Sequence, residues 1–414
     1  MTTVSSSVTR TDGGFSVEAV HRTEYRLVPV DGVFAPHNQQ LADCYREAGR
    51  CLAVVDENVL ALHREAMEAY FAAAGVELTI VPVAIAETDK TMDTLERLVD
   101  VFGSYGLLRT EAPLVVGGGL VTDVAGFACA AYKRSTPYIR IPTTLIGLID
   151  ASVSIKVAVN HGKAKNRLGA YHASSTVFLD FSFLASLAED QVRNGMAELI
   201  KIAVVANRTV FDLLDEHGEE LLRTRFGHLD GNPEIRKVAD QVTDEAIDTM
   251  LQLEVPNLAE LDLDRVIAYG HTWSPTLELT PDIPYFHGHA ISVDMAYSAT
   301  LAAERGYITV ADRDRIHALM SRLGLTVDSP HLTADLLRDS TRSILQTRDG
   351  LLRAAAPKPI GECTFMNDVA DDELVQTLEL HREVAAALPR GGAGVDAFMV
   401  PRTSPVVSEV VAGP

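Results

Sequence analysis

The chain has 414 residues, 47% of them hydrophobic, and a formal net charge of -21. That length supports two domains, each with its own buried core. The charge argues against nucleic acid or an anionic membrane as partner, because long-range repulsion opposes either encounter, although solubility alone is the plainer reading of it. The polar stretch up to Ser16 holds no apolar signal segment, and no apolar run reaches membrane-spanning length, so a cytoplasmic protein is expected. Four cysteines without a CxxC pair suggest neither a disulfide framework nor a thiolate zinc site.

In chain order, residues 1–16 are expected to be disordered. Cys51 to Val55 and Leu78 to Val83 read as strands flanking a helix from Val59 to Ala73. A third apolar run, Pro113 to Val116, meets Gly117-Gly118-Gly119, after which Thr122 to Ala131 reads as a helix. Strand, glycine turn and helix follow in the order a nucleotide site needs. The turn alone is a weak signal, since Thr122 stands where a dinucleotide fingerprint has its third glycine. Beyond Gln191, helical apolar spacing marks Asn194 to Asn207, Val210 to Leu222, Glu234 to Leu253, His289 to Arg305 and Ala311 to Leu323. The predicted architecture is an α/β, Rossmann-like nucleotide-binding domain over 17–187 and an α-helical metal-binding domain over 188–387. The Gly- and Pro-rich tail, 388–414, is expected to be disordered.

Between Asp123 and Asp180, Lys133, Arg134, Arg140, Lys156, Lys163, Lys165 and Arg167 face the single acid Asp150. In so acidic a chain this fits a phosphorylated small molecule, or a surface face that pairs with acids elsewhere. Glu198, His271 and His287 are candidate metal ligands, because one carboxylate with two imidazoles leaves open positions on a zinc ion for substrate oxygens. Spacing alone does not separate them from the other histidines. Glu198 and Lys201, three apart on a helix, either share a pocket or form a simple ion pair.

Several motifs in order resemble a known family. They are Val55-Asp56-Glu57-Asn58-Val59, Glu87-Thr88-Asp89-Lys90, Gly117 to Asp123, Ile141-Pro142-Thr143-Thr144-Leu145, and Lys156 to Asn160 with Lys165-Asn166. Gly195-Met196-Ala197-Glu198-Leu199-Ile200-Lys201, Gly270-His271-Thr272 and His287-Gly288 follow. From about Val54 to Phe365 the chain resembles the sugar phosphate cyclases, whose best-known member is dehydroquinate synthase.

The resemblance implies a dehydroquinate synthase-like fold and a lyase that binds a small sugar phosphate. NAD would be held by Asp56, Asn58, Glu87, Lys90, Gly118, Gly119, Asp123, Thr143, Thr144 and Lys165. Zinc, or Co2+ in its place, would be held by Glu198, His271 and His287. Asp150, Lys156, Asn166 and Lys201 would be the catalytic residues, with Lys165 and Arg134 toward the phosphate. Arg134 would reach the neighbouring active site of a homodimer. The implied reaction is a transient oxidation by NAD, phosphate loss, re-reduction, ring opening and intramolecular aldol closure, with no net redox.

The departures bear on the substrate. Pro275 replaces a second histidine of the dehydroquinate synthase motif, Met250 a lysine, Asp264 an arginine and Ala268 an asparagine; Asp349-Gly350-Leu351 replaces Asp-Lys-Lys, and His289 a glutamate. Met250, Asp264 and Pro275 are therefore placed at the substrate pocket. Losing an Arg and a Lys leaves a substrate carboxylate without partners, so a neutral sugar end is expected. The pattern, Trp273-Ser274-Pro275 above all, resembles the branch that uses sedoheptulose 7-phosphate, the 2-epi-5-epi-valiolone synthases first. The 2-epi-valiolone and demethyl-4-deoxygadusol synthases, dehydroquinate synthase itself, a glycerol-type zinc dehydrogenase and a non-catalytic NAD-binding regulator are the alternatives.

Overall fold

The computed structural model describes residues 3–162, 164–230, 232–347, 349–399, 406–408 and 411–412; Lys163 of the basic cluster lies outside them. The chain opens with β1 (Thr3–Thr11) and β2 (Gly14–His21), an antiparallel hairpin whose described side chains are all exposed. This corrects the disorder expected over 1–16. Thr11 pairs with Gly14 across Asp12-Gly13, the two-residue turn that the right-handed twist of a hairpin favours.

The first half is built on β3 (Arg26–Pro29), β4 (Arg50–Asp56), β5 (Glu77–Val83), β6 (Leu114–Gly117), β7 (Ile139–Pro142) and β10 (Thr176–Leu179). Their order across the sheet is β5-β4-β6-β7-β10-β3, and every pair is parallel. Both faces are covered, so the strands are largely apolar along their length. Ala53 and Val55 face Met67 and Phe71, whereas Leu52 and Val54 face Leu98 and Phe102. After β4 the chain goes to β5 on one side and then crosses to β6 on the other, so the sheet's switch point lies between the ends of β4 and β6. A second hairpin, β8 (Lys156–His161) with β9 (Ala164–Tyr171), stands apart from this sheet.

Helices begin at Glu189, just past the expected boundary at Leu187. Glu189–Ala206 and His287–Glu304 are buried along nearly their whole length, and Arg208–Arg223, Pro233–Glu254, Val310–Arg322, Ala334–Thr347 and Asp371–Ala386 complete the layer. The two halves are not insulated: Leu145, Ile149 and Leu179 belong to the helical core. Among the described residues no helix is long and apolar enough to cross a membrane.

The tail is also corrected where it is described. Phe398 stacks on Tyr285 with ring centroids 4.5 Å apart, and Met399 N donates to Pro284 O at 2.9 Å. Ala84 N donates to Val406 O, and Val411–Ala412 pairs antiparallel with β5, closing that edge of the sheet. Residues 400–405, 409–410 and 413–414 lie outside the described residues.

Candidate active site

One cavity of about 1140 Å³ runs from the switch point of the sheet to the helical half. Its nucleotide side is made by strand ends. Asp56 closes β4 and accepts from Asn58 N at 2.8 Å, capping helix Glu57–Ala73. Gly118 follows β6 and opens helix Gly119–Ala131, whose free N–H groups face the cavity mouth. A Cβ on Gly118 would stand 3.0 Å from Thr144 Cγ2, so the glycine lets this turn lie against the Thr143-Thr144 loop. Glu87 and Lys90 are buried beyond β5, where Lys90 Nζ meets Asp123 Oδ2 at 2.6 Å and Asn166 Oδ1 at 2.5 Å. These residues and Thr143 all line the cavity.

Hairpin β8–β9 supplies Lys156, Lys165 and Asn166. Lys156 Nζ lies 2.9 Å from Glu254 Oε1 and 3.2 Å from Glu260 Oε1. Burial disfavours its charge, but the two carboxylates outweigh burial and raise its pKa. Glu260 also pairs with Arg265 at 2.6 Å, so this wall alternates acid and base.

On the far side, Glu198 projects from helix Glu189–Ala206 toward His271 and His287, and one ligand atom from each lies within 4.8 Å of the others. His287 Nε2 is 3.0 Å from Glu198 Oε1 and His271 Nε2 is 4.0 Å from it. Donors bound about 2.1 Å from a shared tetrahedral ion stand roughly 3.4 Å apart, so this spacing suits a zinc-sized ion. His271 Nδ1–H donates to Tyr269 O at 3.1 Å, which turns its Nε2 lone pair toward Glu198. Burial pushes His271 down to about 3, leaving a neutral ligand. For His287 burial acts the same way, but Glu278 and Glu198 outweigh it and lift it to about 9. The donor set fits a divalent metal.

Two glycines make this convergence possible. A Cβ on Gly195 would stand 2.5 Å from Leu145 Cβ, and one on Gly288 would stand 2.2 Å from the Asn194 carbonyl oxygen. Gly288 thus lets the helix bearing His287 lie against the one bearing Glu198, and Gly195 lets the latter lie against Leu145.

Lys201 does not line the cavity but sits behind it, with Nζ 2.6 Å from Asp150 Oδ2 and 2.7 Å from Glu198 Oε2, an ion pair not aligned as a hydrogen bond. Of the two readings of the i,i+3 pair, the ion pair is the one seen here. Burial pushes Asp150 up to about 6 against the pull of Lys201.

The structure separates other predicted residues from this cavity. Met250 is fully buried on the stripe that Val242 and Ala246 begin, so the helical period turns it into the core. Asp264 lines a smaller neighbouring cavity of about 250 Å³ and pairs with Arg353. Pro275 does line the main cavity. Arg134 lies in an exposed turn with φ +61°, off this chain's cavity. Arg140 is buried and bonds to Ala151 O, so the basic cluster is partly structural. Motif reading missed Glu260, Arg265 and Glu278 on the cavity, and Glu254, which lines the smaller cavity beside it; all sit in stretches without glycine turns or histidine pairs to mark them.

Residues 80–194 match the profile of the 3-dehydroquinate synthase N-terminal domain and 195–343 that of its C-terminal domain. The chain belongs to the dehydroquinate synthase family of sugar phosphate cyclases. It is 61% identical over 400 residues to demethyl-4-deoxygadusol synthase from Trichormus variabilis, covering 97% of this chain and 98% of that protein. A 2-epi-5-epi-valiolone synthase from an Actinomyces species is 39% identical, over 89% and 98% of the two chains. The solved 2-epi-5-epi-valiolone synthase from Streptomyces hygroscopicus subsp. jinggangensis 5008, with NAD+ and Zn2+ bound, superposes with a TM-score of 0.83 at 37% identity, covering 89% of this chain and 99% of that one. The family expected from the motifs is therefore shown, and with it an enzyme. Of the branches weighed, the higher identity goes to one held as an alternative.

Proposed function

We propose that the protein is a sedoheptulose 7-phosphate cyclase that binds NAD and zinc and releases demethyl-4-deoxygadusol. The observation that carries the reading is the single cavity joining the strand-end nucleotide side, the lysines of β8–β9 and the Glu198-His271-His287 set. Identity of 61% to a demethyl-4-deoxygadusol synthase, against 39% to a valiolone synthase, favours the former product. A cytoplasmic setting is supported by four free cysteines.

When bound, NAD supplies a reversible hydride acceptor and zinc a Lewis acid for a sugar oxygen. Asp56, Gly118, Gly119 and Thr143 would hold the dinucleotide, and Lys90 keeps Asp123 and Asn166 in register. Lys156, Lys165 and Asn166 receive the phosphate, with Lys156 exchanging its contacts to Glu254 and Glu260 for phosphate oxygens. Asp150 and Lys201 share a hydrogen bond beside Glu198 and can hold or pass a proton there. Glu260 suits a wall that accepts hydrogen bonds from sugar hydroxyls and repels a substrate carboxylate, with Glu254 paired to Lys156 behind it. Arg134, turned away from its own cavity, suits a reach to the neighbouring site of a homodimer.

Incubation with NAD, zinc and sedoheptulose 7-phosphate, followed by phosphate assay and NMR, tests this. The expected product has lost phosphate and one further water, leaving a conjugated enolone, with no net NADH. A product that retains that water means a valiolone synthase. Turnover of the dehydroquinate precursor alone overturns the heptulose reading, and steady NADH release from a simple polyol would place the chain with the glycerol-type dehydrogenases.

A further inference from the structure

Glu278 belongs to none of the motifs, yet it touches both halves of the site. It follows the short helical turn Ser274–Leu277, and its side chain is 1% exposed. Its Oε2 accepts the His287 Nδ1 hydrogen at 3.0 Å, and its Oε1 accepts from Lys165 Nζ at 2.5 Å. Lys165 comes from β9 in the first half, where its Nζ also stands 3.4 Å from Glu87 Oε1. Glu87 in turn accepts from Asn160 Nδ2 at 2.8 Å. An unbroken chain of largely buried polar contacts therefore runs Glu87, Lys165, Glu278, His287, Glu198, from the strand-end side to the metal side.

We propose that Glu278 is a positioning residue that orients His287 for the metal, and that Lys165, by bridging Glu278 to Glu87, makes metal and dinucleotide binding mutually dependent. The proposal rests on the reading of Glu198, His271 and His287 as a metal set and of the strand-end side as the dinucleotide site. A carboxylate that accepts the Nδ1 hydrogen fixes the imidazole with Nε2 toward the ion and strengthens it as a ligand. A bound divalent cation draws on the Nε2 lone pair, so the Nδ1 hydrogen leans harder on Glu278. That buried carboxylate gains most when a cation holds its other oxygen, and Lys165 is the cation in place. A dinucleotide that settles the Glu87–Lys165 wall secures this contact and favours the metal. By linkage the metal then favours the dinucleotide by the same factor.

Four dissociation constants test this in the folded full-length protein. Zinc affinity is read by competition with a fluorescent chelator, with and without NAD. NAD affinity is read by quenching of Trp273, the chain's single tryptophan and two residues from His271, with and without zinc. In the wild type each ligand should tighten the other by the same factor, about fivefold or more. Glu278→Gln should weaken zinc by about 10- to 100-fold. Lys165→Met should bring the coupling factor to unity even if it also weakens NAD directly, because that direct loss cancels in the cycle; Lys165→Arg should restore coupling. Full coupling in Lys165→Met, or unaltered zinc affinity in Glu278→Gln, overturns the proposal. A wild type that binds no zinc overturns the metal reading beneath it. Should Glu278→Gln fail to fold, the Lys165 pair decides alone.

Discussion

On the nucleotide side of the cavity, Asp56 ends one parallel strand while Gly118 and Thr143 each directly follow another, and the last two offer largely backbone. On the metal side, Glu198 and His287 stand 89 residues apart on two buried helices, and the site consists of side chains held by other side chains. The first kind of site is set by sheet topology and tolerates changes around it. The second depends on each helix keeping its place to within a fraction of an ångström. A single substitution or a lost proton balance should therefore damage the metal side far more than the strand-end side.

The largest effect expected is at the ligands. Glu198→Gln should reduce bound zinc to the background left by a chelator and lower kcat/KM by at least about 10³-fold, the several kcal/mol that a Lewis acid contributes. NAD binding to the metal-free protein should survive, as the strand-end side is untouched. Full activity after chelation would sink the zinc assignment.

Acid should also separate the two halves. His289, His317 and His381 all lie in the helical half and are fully buried, and burial pushes them down to about 3, 3 and 4. Their folded pKa values lie below the ordinary 6.5, so the unfolded chain takes up protons first as pH falls. The stability they contribute is intact above pH 6.5 and drains away from there toward pH 3–4. At pH 5.5 the loss is roughly 1.4 kcal/mol for each. Circular dichroism melts between pH 7.5 and 5 should show the helical signal failing first, and a pH-independent melting temperature would contradict the neutral burial of these rings.

The same contrast decides what was legible in the sequence. Glycine turns, strand runs and a carboxylate after a strand are local signals, so the nucleotide side could be read from Val55-Asp56 and Gly117 to Gly119 without the fold. Glu198, His271 and His287 were candidates by their chemistry, but spacing alone did not separate the two histidines from the others, and the resemblance of their motifs to a family did. Glu278 and Glu254 could not be found at all, since a buried acid is recognisable only once its lysine has arrived from 98 or 113 residues away. Met250 and Asp264 failed for a related reason. Correspondence in a motif fixes position in the chain, whereas helical phase and the Arg353 contact fix where the side chain goes. Asp12-Gly13 is a local signal of the N-terminal hairpin, and it went unused because the stretch up to Ser16 is polar and rich in Ser and Thr.

Two glycines sharpen the comparison at intermediate size. Gly288→Ala puts a methyl 2.2 Å from the Asn194 carbonyl oxygen, against backbone that cannot yield without moving the helix that carries His287. The cost should be about 1–3 kcal/mol in unfolding free energy, with weakened zinc binding. Gly119→Ala, whose added carbon meets Ala151 Cβ at an ordinary 3.7 Å, should leave the metal-free protein within about 0.5 kcal/mol of wild type. Equal losses from the two would erase the distinction between a backbone-built and a side-chain-built site.

The smallest effect expected is at Asp264, and it is informative because the sequence placed this residue in the substrate pocket. Its side chain is 43% exposed and bonds to Arg353, which also holds Asp349 at 2.5 Å, so Asp264→Asn removes one partner from a charge already paired and open to water. Exposed pairs of this kind contribute little, and KM for the sugar phosphate should change by less than about twofold. The adjoining small cavity shares Lys156, Glu260 and Arg265 with the main one. A severalfold rise in KM would therefore mean that the substrate extends past Glu260 into that second space, and that the wall beyond Lys156 helps to choose between sugars.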